Sequence, residues 1–350
     1  MISLRTAKKL TVPNYKKAGK QMKTIWANMN PDKVDMSTLA RHCEGKYHLI
    51  ARAAPGNDPA AVLALAGQAD AVISGLEKWD EAALSAVRGK VRFIQKYGMG
   101  LDNIDLEAAA RNGILVANII GANSAAVAEV ALLHILNIGR RFVSCVNGVK
   151  DGIWPAYEEG DELDGKTVGL LGYGNISKQL VRMLSGFQVT ILAYDPYVSQ
   201  PAEGQPVTFV SSREELFARS DIVSLHIPCT PETAGSINAD LFSRMRRGAC
   251  LVNTCRGGVI NEADLIKALR SGQIGAAGLD VRAQEPPAAD DALLQMPNVY
   301  ITSHMGAESN ESQARSQKVM CEALDTVFSG GIPVFARNAE LYQKYQGEIK

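Results

Sequence analysis

Residues 167–177 read Thr-Val-Gly-Leu-Leu-Gly-Tyr-Gly-Asn-Ile-Ser, and the order of residue types in this stretch decides the fold. Thr167 to Leu171 is a short apolar run of the kind found in a strand buried on both faces. Gly172 and Gly174 follow at once, and Ile176, Leu180 and Leu184 then recur every four residues, the spacing of one helix face. Gly172 permits the tight turn, and Gly174 lets a pyrophosphate approach the backbone at the helix N-terminus. The third position of the fingerprint holds Ser177, still small enough for close packing of helix on strand. Asp195, 23 residues after Gly172, closes the next apolar run, Ile191–Tyr194. A carboxylate there hydrogen-bonds the adenosine ribose and repels a 2′-phosphate, so the pattern favours NAD over NADP.

On the C-terminal side the alternation continues. Candidate strands are Val189–Tyr194, Val207–Val210, Ile222–His226, Ala249–Asn253, Ala276–Asp280 and Val299–Thr302, and Glu308–Phe328 has helical spacing. On the N-terminal side, Ala125–Ile138 is apolar nearly all round, the mark of a buried helix. Earlier still, Ile25–Ala27, His48–Ile50, Ala71–Ile73 and Phe93–Ile94 are short apolar runs separated by helix-like segments such as Pro59–Ala66 and Glu81–Val87. Strands alternating with helices imply parallel sheets, and the length of 350 residues allows two doubly wound α/β domains.

Composition narrows the function classes. The formal net charge is zero, which argues against nucleic acid or an anionic membrane as partner, and no run reaches the roughly 20 apolar residues that span a bilayer. Six cysteines without a CxxC pair suggest reduced thiols and a cytoplasmic setting, and five histidines without HExxH spacing leave a metal site unsupported. The stretch from Met1 to Lys23 has seven basic residues and no acid; we read it as a loose tail or a start placed upstream of Met22, with a basic partner-binding arm as the alternative.

The polar residues fall at strand ends. His226 and Pro228 close one candidate strand, Thr254 and Arg256 the next, Asp280 another and His304 the last. In an open parallel sheet, ligands bind outside the carboxyl ends of the strands. A histidine there can exchange a hydroxyl proton, and an arginine can hold a carboxylate through two parallel hydrogen bonds.

The stretches KYGMGLDNID, GKTVGLLGYGNIS, SLHIPCTPET, LVNTCRGGVINEADL, GLDVRAQEPP and PNVYITSHMGA, in this order between Phe93 and Ala307, resemble the D-isomer-specific 2-hydroxyacid dehydrogenases. The resemblance implies a flavodoxin-like substrate domain, discontinuous over residues 1–120 and 309–350, a Rossmann NAD-binding domain over 121–308, and a cleft between them. It implies an NAD-dependent oxidoreductase that moves hydride to or from C2 of a small 2-hydroxy or 2-keto acid, such as 3-phosphoglycerate, glycerate or hydroxypyruvate. His304 would be the general acid/base, Glu285 its carboxylate partner and Arg256 the ligand of the substrate carboxylate. Asp280 would hold the nicotinamide carboxamide, Asn175 and Ile176 would meet the pyrophosphate, and Pro228, Thr233, Thr254 and Gly306 would line the cofactor cleft. Tyr97 would face the substrate, with the backbone amides of Met99 and Gly100 completing the carboxylate pocket. His226 is expected to be as much packing as function, and Cys229 and Cys255 to be small fillers. Ser303 stands where many relatives have proline.

Two alternatives accompany this reading. An NAD-sensing scaffold like the corepressors of this fold would keep the same residues without turnover. Formate dehydrogenases resemble the family but place glutamine where Glu285 stands. Lys96 is one candidate cation for a phosphorylated substrate, and the apolar helix Ala125–Ile138 suggests a homodimer.

Overall fold

The computed structural model describes residues 22–32, 34–156, 159–201 and 203–348. The basic stretch is therefore outside the described residues up to position 21. Two compact units divide the chain, Met1–Ala122 with Asn310–Lys350, and Asn123–Ser309.

The first unit is built on five parallel strands: β1 (Lys23–Ala27), β2 (Tyr47–Ala51), β3 (Ala71–Ser74), β4 (Phe93–Lys96) and β5 (Leu115–Ala117). Their order is β2-β1-β3-β4-β5, the flavodoxin-like winding. Successive side chains of a strand point to opposite faces, and the sequence fills both. Ile25, Ile73, Phe93 and Leu115 pack on one face with Met320 and Leu324 of the helix Asn310–Phe328. Trp26, Val72, Ile94 and Val116 pack on the other with Val62, Leu84 and Ala108 of three further helices. The helix Asn310–Phe328 thus belongs to this unit because, with the helix Ser37–Cys43, it covers one face of the sheet. Helix starts follow local chemistry: Asp58, Asp80 and Asp105 each accept the backbone N–H three residues on, at 2.9 to 3.1 Å.

The second unit has seven parallel strands: β6 (Thr167–Leu171), β7 (Thr190–Tyr194), β8 (Thr208–Phe209), β9 (Ile222–Leu225), β10 (Ala249–Asn253), β11 (Ile274–Leu279) and β12 (Val299–Ile301). Their order is β12-β11-β10-β9-β6-β7-β8, a Rossmann winding that reverses between β6 and β9. Val168, Leu170, Ile191 and Val252 meet the helices Ser124–Arg140 and Asn175–Leu184, while Leu171, Val223, Leu251 and Leu279 meet the helices on the opposite face.

Several elements go beyond the sequence reading, the helices Ser37–Cys43, Leu106–Arg111, Arg213–Arg219, Ala239–Arg244 and Glu262–Arg270 among them. Strand β5 is only three residues long, too short for a periodicity signal. The helix Phe142–Lys150 buries none of its residues, and Ala339–Glu348 extends the C-terminus. The all-round apolar helix runs over Ser124–Arg140, with Leu133 53% exposed on its outer side.

Candidate active site

Every strand of the second unit that carries a candidate residue presents it at the carboxyl end, so one sheet edge collects them. Gly172 follows β6 with φ +92, and a Cβ there would run into the carbonyl of His226, which follows the neighbouring β9. Only glycine lets the two strand ends approach at the point where the winding reverses. Around Gly174 the space is open, and Asn175 and Ile176 begin the helix just beyond it. Ser177, in the third fingerprint position, is buried and donates its hydroxyl to the Gly172 carbonyl at 2.7 Å. The serine thereby ties the glycine turn to the helix it starts.

Several features fit a dinucleotide. Asp195 closes β7 and is oriented by the backbone N–H groups of Tyr173 and Tyr197, both 2.8 Å away. A carboxylate has about four acceptor sites, so it retains capacity for a ribose diol. Thr254 Oγ1 and His226 Nδ1 are buried without a partner at the ends of β10 and β9. Burial pushes the His226 pKa down to about 4, so this imidazole is neutral at ordinary pH. Thr233 closes the turn after Pro228, donating to the Pro228 carbonyl at 2.6 Å and accepting from Thr230 N at 2.7 Å. Cys255 is buried with its thiol pushed up to about 11 by desolvation, which leaves it a packing residue and a poor nucleophile.

The ends of β10, β11 and β12 are adjacent in the sheet, and the candidates Arg256, Asp280 and His304 follow them. Arg256 lies just past β10, its main-chain carbonyl held by Asn253 Nδ2 at 2.9 Å and its guanidinium donating to the Cys255 carbonyl at 2.6 Å. Gly257 then packs directly on the backbone of Arg282 and Ala283, with no room for a side chain. That contact joins the arginine turn to the segment bearing Glu285. Glu285 Oε1 accepts Arg282 N at 2.8 Å, and Oε2 meets His304 Nδ1 at 2.7 Å. The pair fixes the imidazole with Nδ1 on the carboxylate, an arrangement in which Nε2 can exchange a proton. His304 and Glu285 are both exposed.

His304 has φ +55, the left-handed region. A non-glycine residue persists there when its surroundings hold it, and Asp280 does the holding. The main-chain carbonyl of Asp280 accepts His304 N at 2.9 Å, and its carboxylate accepts Met305 N at 2.9 Å and Gly306 N at 2.8 Å. A Cβ on Gly306 would lie 2.9 Å from Asp280 Oδ2, so glycine allows the approach. Asp280 is 1% exposed. Its part in shaping the histidine turn was not legible in the motif alone.

Sequence reasoning also missed Arg282. This buried guanidinium pairs with Glu262 at 3.0 Å and Asp291 at 2.7 Å, tying the Glu285 segment to the helix Glu262–Arg270 and to its own far end. Two acids at spacings of 20 and 9 residues give no local signal.

In the first unit, Tyr97, Met99 and Gly100 lie in the loop after β4. Tyr97 N bonds the Ser74 carbonyl at 2.9 Å, and Asn118 Nδ2 holds the Met99 carbonyl at 2.7 Å. Lys96 does not match its reading as a phosphate ligand. It is buried, and its ammonium donates to the Gly75 carbonyl and to Asn103 Oδ1, which desolvation makes necessary for a buried cation. Among the described residues no group of three or more His, Cys, Asp or Glu is placed to hold a metal ion.

Residues 132–306 match the family model described as D-isomer specific 2-hydroxyacid dehydrogenase, NAD binding domain. The chain is 34% identical over 300 residues to a D-3-phosphoglycerate dehydrogenase of Mycobacterium leprae, covering 85% of this chain and 56% of that relative. It spans about half the length of the curated relatives it matches. Among solved structures, the TT0316 protein of Thermus thermophilus is similar with a TM-score of 0.78 at 30% identity, over 89% of this chain and 99% of that one. A glyoxylate reductase from Paecilomyes thermophila gives 0.81 at 25% identity, over 91% and 99%. With the glycine turn, the arginine turn and the Glu285–His304 pair on one sheet edge, the chain belongs to the D-isomer specific 2-hydroxyacid dehydrogenases.

Proposed function

We propose that the chain is an NAD-dependent oxidoreductase interconverting a small D-2-hydroxy acid and its 2-keto acid. The observation that carries this reading is the 2.7 Å contact of His304 Nδ1 with Glu285 beside the Arg256 turn. NAD, when bound, accepts or supplies hydride. The chain's own residues do the rest. Gly172, Gly174, Asn175 and Ile176 would cradle the pyrophosphate, with Asp195 on the ribose; Thr254, Pro228, Thr233, Asp280 and Gly306 would shape the nicotinamide end. Arg256 would grip the substrate carboxylate and polarise the neighbouring carbonyl. His304 Nε2 would take the proton of the C2 hydroxyl in oxidation and return it to the carbonyl oxygen in reduction, with Glu285 stabilising the imidazolium. Tyr97 and the amides of Met99 and Gly100 are assigned to substrate recognition in the first unit.

NADH consumption with a panel of phosphorylated and unphosphorylated 2-keto acids tests the reading. His304→Ala and Arg256→Ala should each cut kcat/KM by about 10³-fold or more while NADH still binds, since they remove proton transfer and carboxylate binding respectively. Negligible consumption by the wild type across the panel, or near-normal turnover by either variant, would sink it.

As partner we infer a second copy of the chain. Phe142, Val143, Val149, Ile153 and Trp154 leave a contiguous sequence segment with exposed apolar side chains, and Trp154 is 85% exposed. Such a patch on a folded unit marks an interaction surface. Zero net charge supports the absence of nucleic acid as partner. No described helix is long and apolar enough to cross a membrane. The six thiols support a reducing, cytoplasmic setting.

A further inference from the structure

We propose that His134 is a positioning residue for the His304 turn, its Nε2–H acting through the Thr302 hydroxyl to fix the Asp280 carboxylate. The inference rests on the dehydrogenase reading for its functional meaning, but its geometry stands without it.

His134 lies on the core-facing side of the helix Ser124–Arg140 and is 4% exposed. A lone histidine on an apolar helix face is usually packing, yet two observations say more. First, Gly278 of β11 makes room for it: a Cβ on Gly278 would lie 2.7 Å from His134 Cβ and 2.8 Å from its Cγ and Nδ1. The ring occupies space that the sheet leaves open by using glycine. Second, His134 Nε2 sits 3.1 Å from Thr302 Oγ1, and Thr302 Oγ1 sits 2.6 Å from Asp280 Oδ1.

The direction of this chain follows from counting protons. A threonine hydroxyl has one to donate. Asp280 Oδ1 also accepts Met305 N, and Oδ2 accepts Gly306 N, so the carboxylate receives at both oxygens and Thr302 must donate to it. The Thr302 oxygen can then only accept from His134, which makes Nε2 the protonated nitrogen. Burial lowers the His134 pKa, with the Asp280 charge pulling the other way, so the ring remains neutral. It therefore supplies a donor without adding a charge beside Asp280.

The consequence falls on the strained turn. His304 holds φ +55 because Asp280 ties down its own amide and the two that follow it. A carboxylate with a fixed third donor keeps its two oxygens aimed at Met305 N and Gly306 N. Removing that donor frees rotation about the terminal bond and loosens both amides.

Hydrogen–deuterium exchange on the full chain tests this directly, followed at the amides of Met305 and Gly306 and, as a control, across β6 and β9. His134→Leu, which keeps the bulk, and Thr302→Val, which keeps the shape, should each raise exchange at the two amides about tenfold, as one lost hydrogen bond allows. Thr302→Ser, which retains the hydroxyl, should restore protection. In steady-state kinetics, His134→Leu should lower kcat about tenfold with the KM for NADH within about twofold. Unchanged exchange at Met305 and Gly306 in Thr302→Val would overturn the proposal. So would an equal rise throughout the unit in His134→Leu, or a failure of Thr302→Ser to restore protection. Because exchange is read without turnover, an inactive wild type would refute the dehydrogenase reading and leave this result standing.

Discussion

A methyl group on Gly257 would have to share space with the main chain of Arg282 and Ala283. Backbone cannot swing aside as a side chain can, so Gly257→Ala should destabilise the second unit by about 3 kcal/mol, measured by urea unfolding. The same substitution should separate Arg256 from the Glu285 segment and lower turnover in the molecules that do fold. His226 makes a different prediction. An unfolded histidine titrates near 6.5, and in the fold this one titrates at about 4. Between those values the proton prefers the unfolded chain. Its contribution to stability is thus complete above pH 6.5 and is lost as the pH falls toward 4, by about 3 kcal/mol. Unfolding midpoints measured at pH 7, 5.5 and 4 should fall less steeply in His226→Gln than in the wild type; equal slopes would contradict the burial argument. The glycine turn at Gly172 and Gly174 and the strand-end position of Asp195 were legible because their pattern is local and ordered along the chain. His134 was not, since its partner, Thr302, is 168 residues away.

At the scale of elements, the segment from Asp280 to Asp291 shows how a loop is held in one shape. Arg282 is inside it, with a 3% exposed side chain pairing with Glu262 and Asp291. Glu262 and Asp291 stay partly exposed, at 27% and 17%, so losing the guanidinium costs what its charged hydrogen bonds contribute, about 1.5–3 kcal/mol. Arg282→Met should therefore lower the thermal midpoint substantially and weaken the Glu285–His304 pair, seen as a fall in kcat. A stable Arg282→Met variant with wild-type kcat would assign the clamp no part in positioning. Strand identities followed from apolar runs, and β11 shows how far the boundaries can drift: it begins at Ile274, before the run read from Ala276. The short β5 escaped because three residues are too few to show a period, and pairing with β4 is what makes Leu115–Ala117 a strand.

At the scale of the whole molecule, the exposed apolar side chains from Phe142 to Trp154 bear on assembly. The helix Phe142–Lys150 buries none of its residues within the chain, so its sequence has no intramolecular reason to carry Phe142, Val143 and Val149. Sedimentation at micromolar concentration should give a dimer, and Phe142→Asp combined with Trp154→Asp should give a monomer that still binds NADH. A wild-type monomer under those conditions would leave the patch without its second copy.

What the sequence determined by itself was the class of the fold and the cast of candidate residues at the strand ends. Apolar runs, glycine turns and polar strand ends are properties of neighbouring residues, and backbone geometry converts them directly into strands, turns and an edge. What only the tertiary structure decided was how that cast is held: Asp280 under the His304 turn, Gly257 against Arg282, Lys96 turned inward to Gly75 and Asn103. Each depends on which strand ends lie side by side, and strand order is set by packing both faces of a sheet, a property of the folded chain that no window of residues contains.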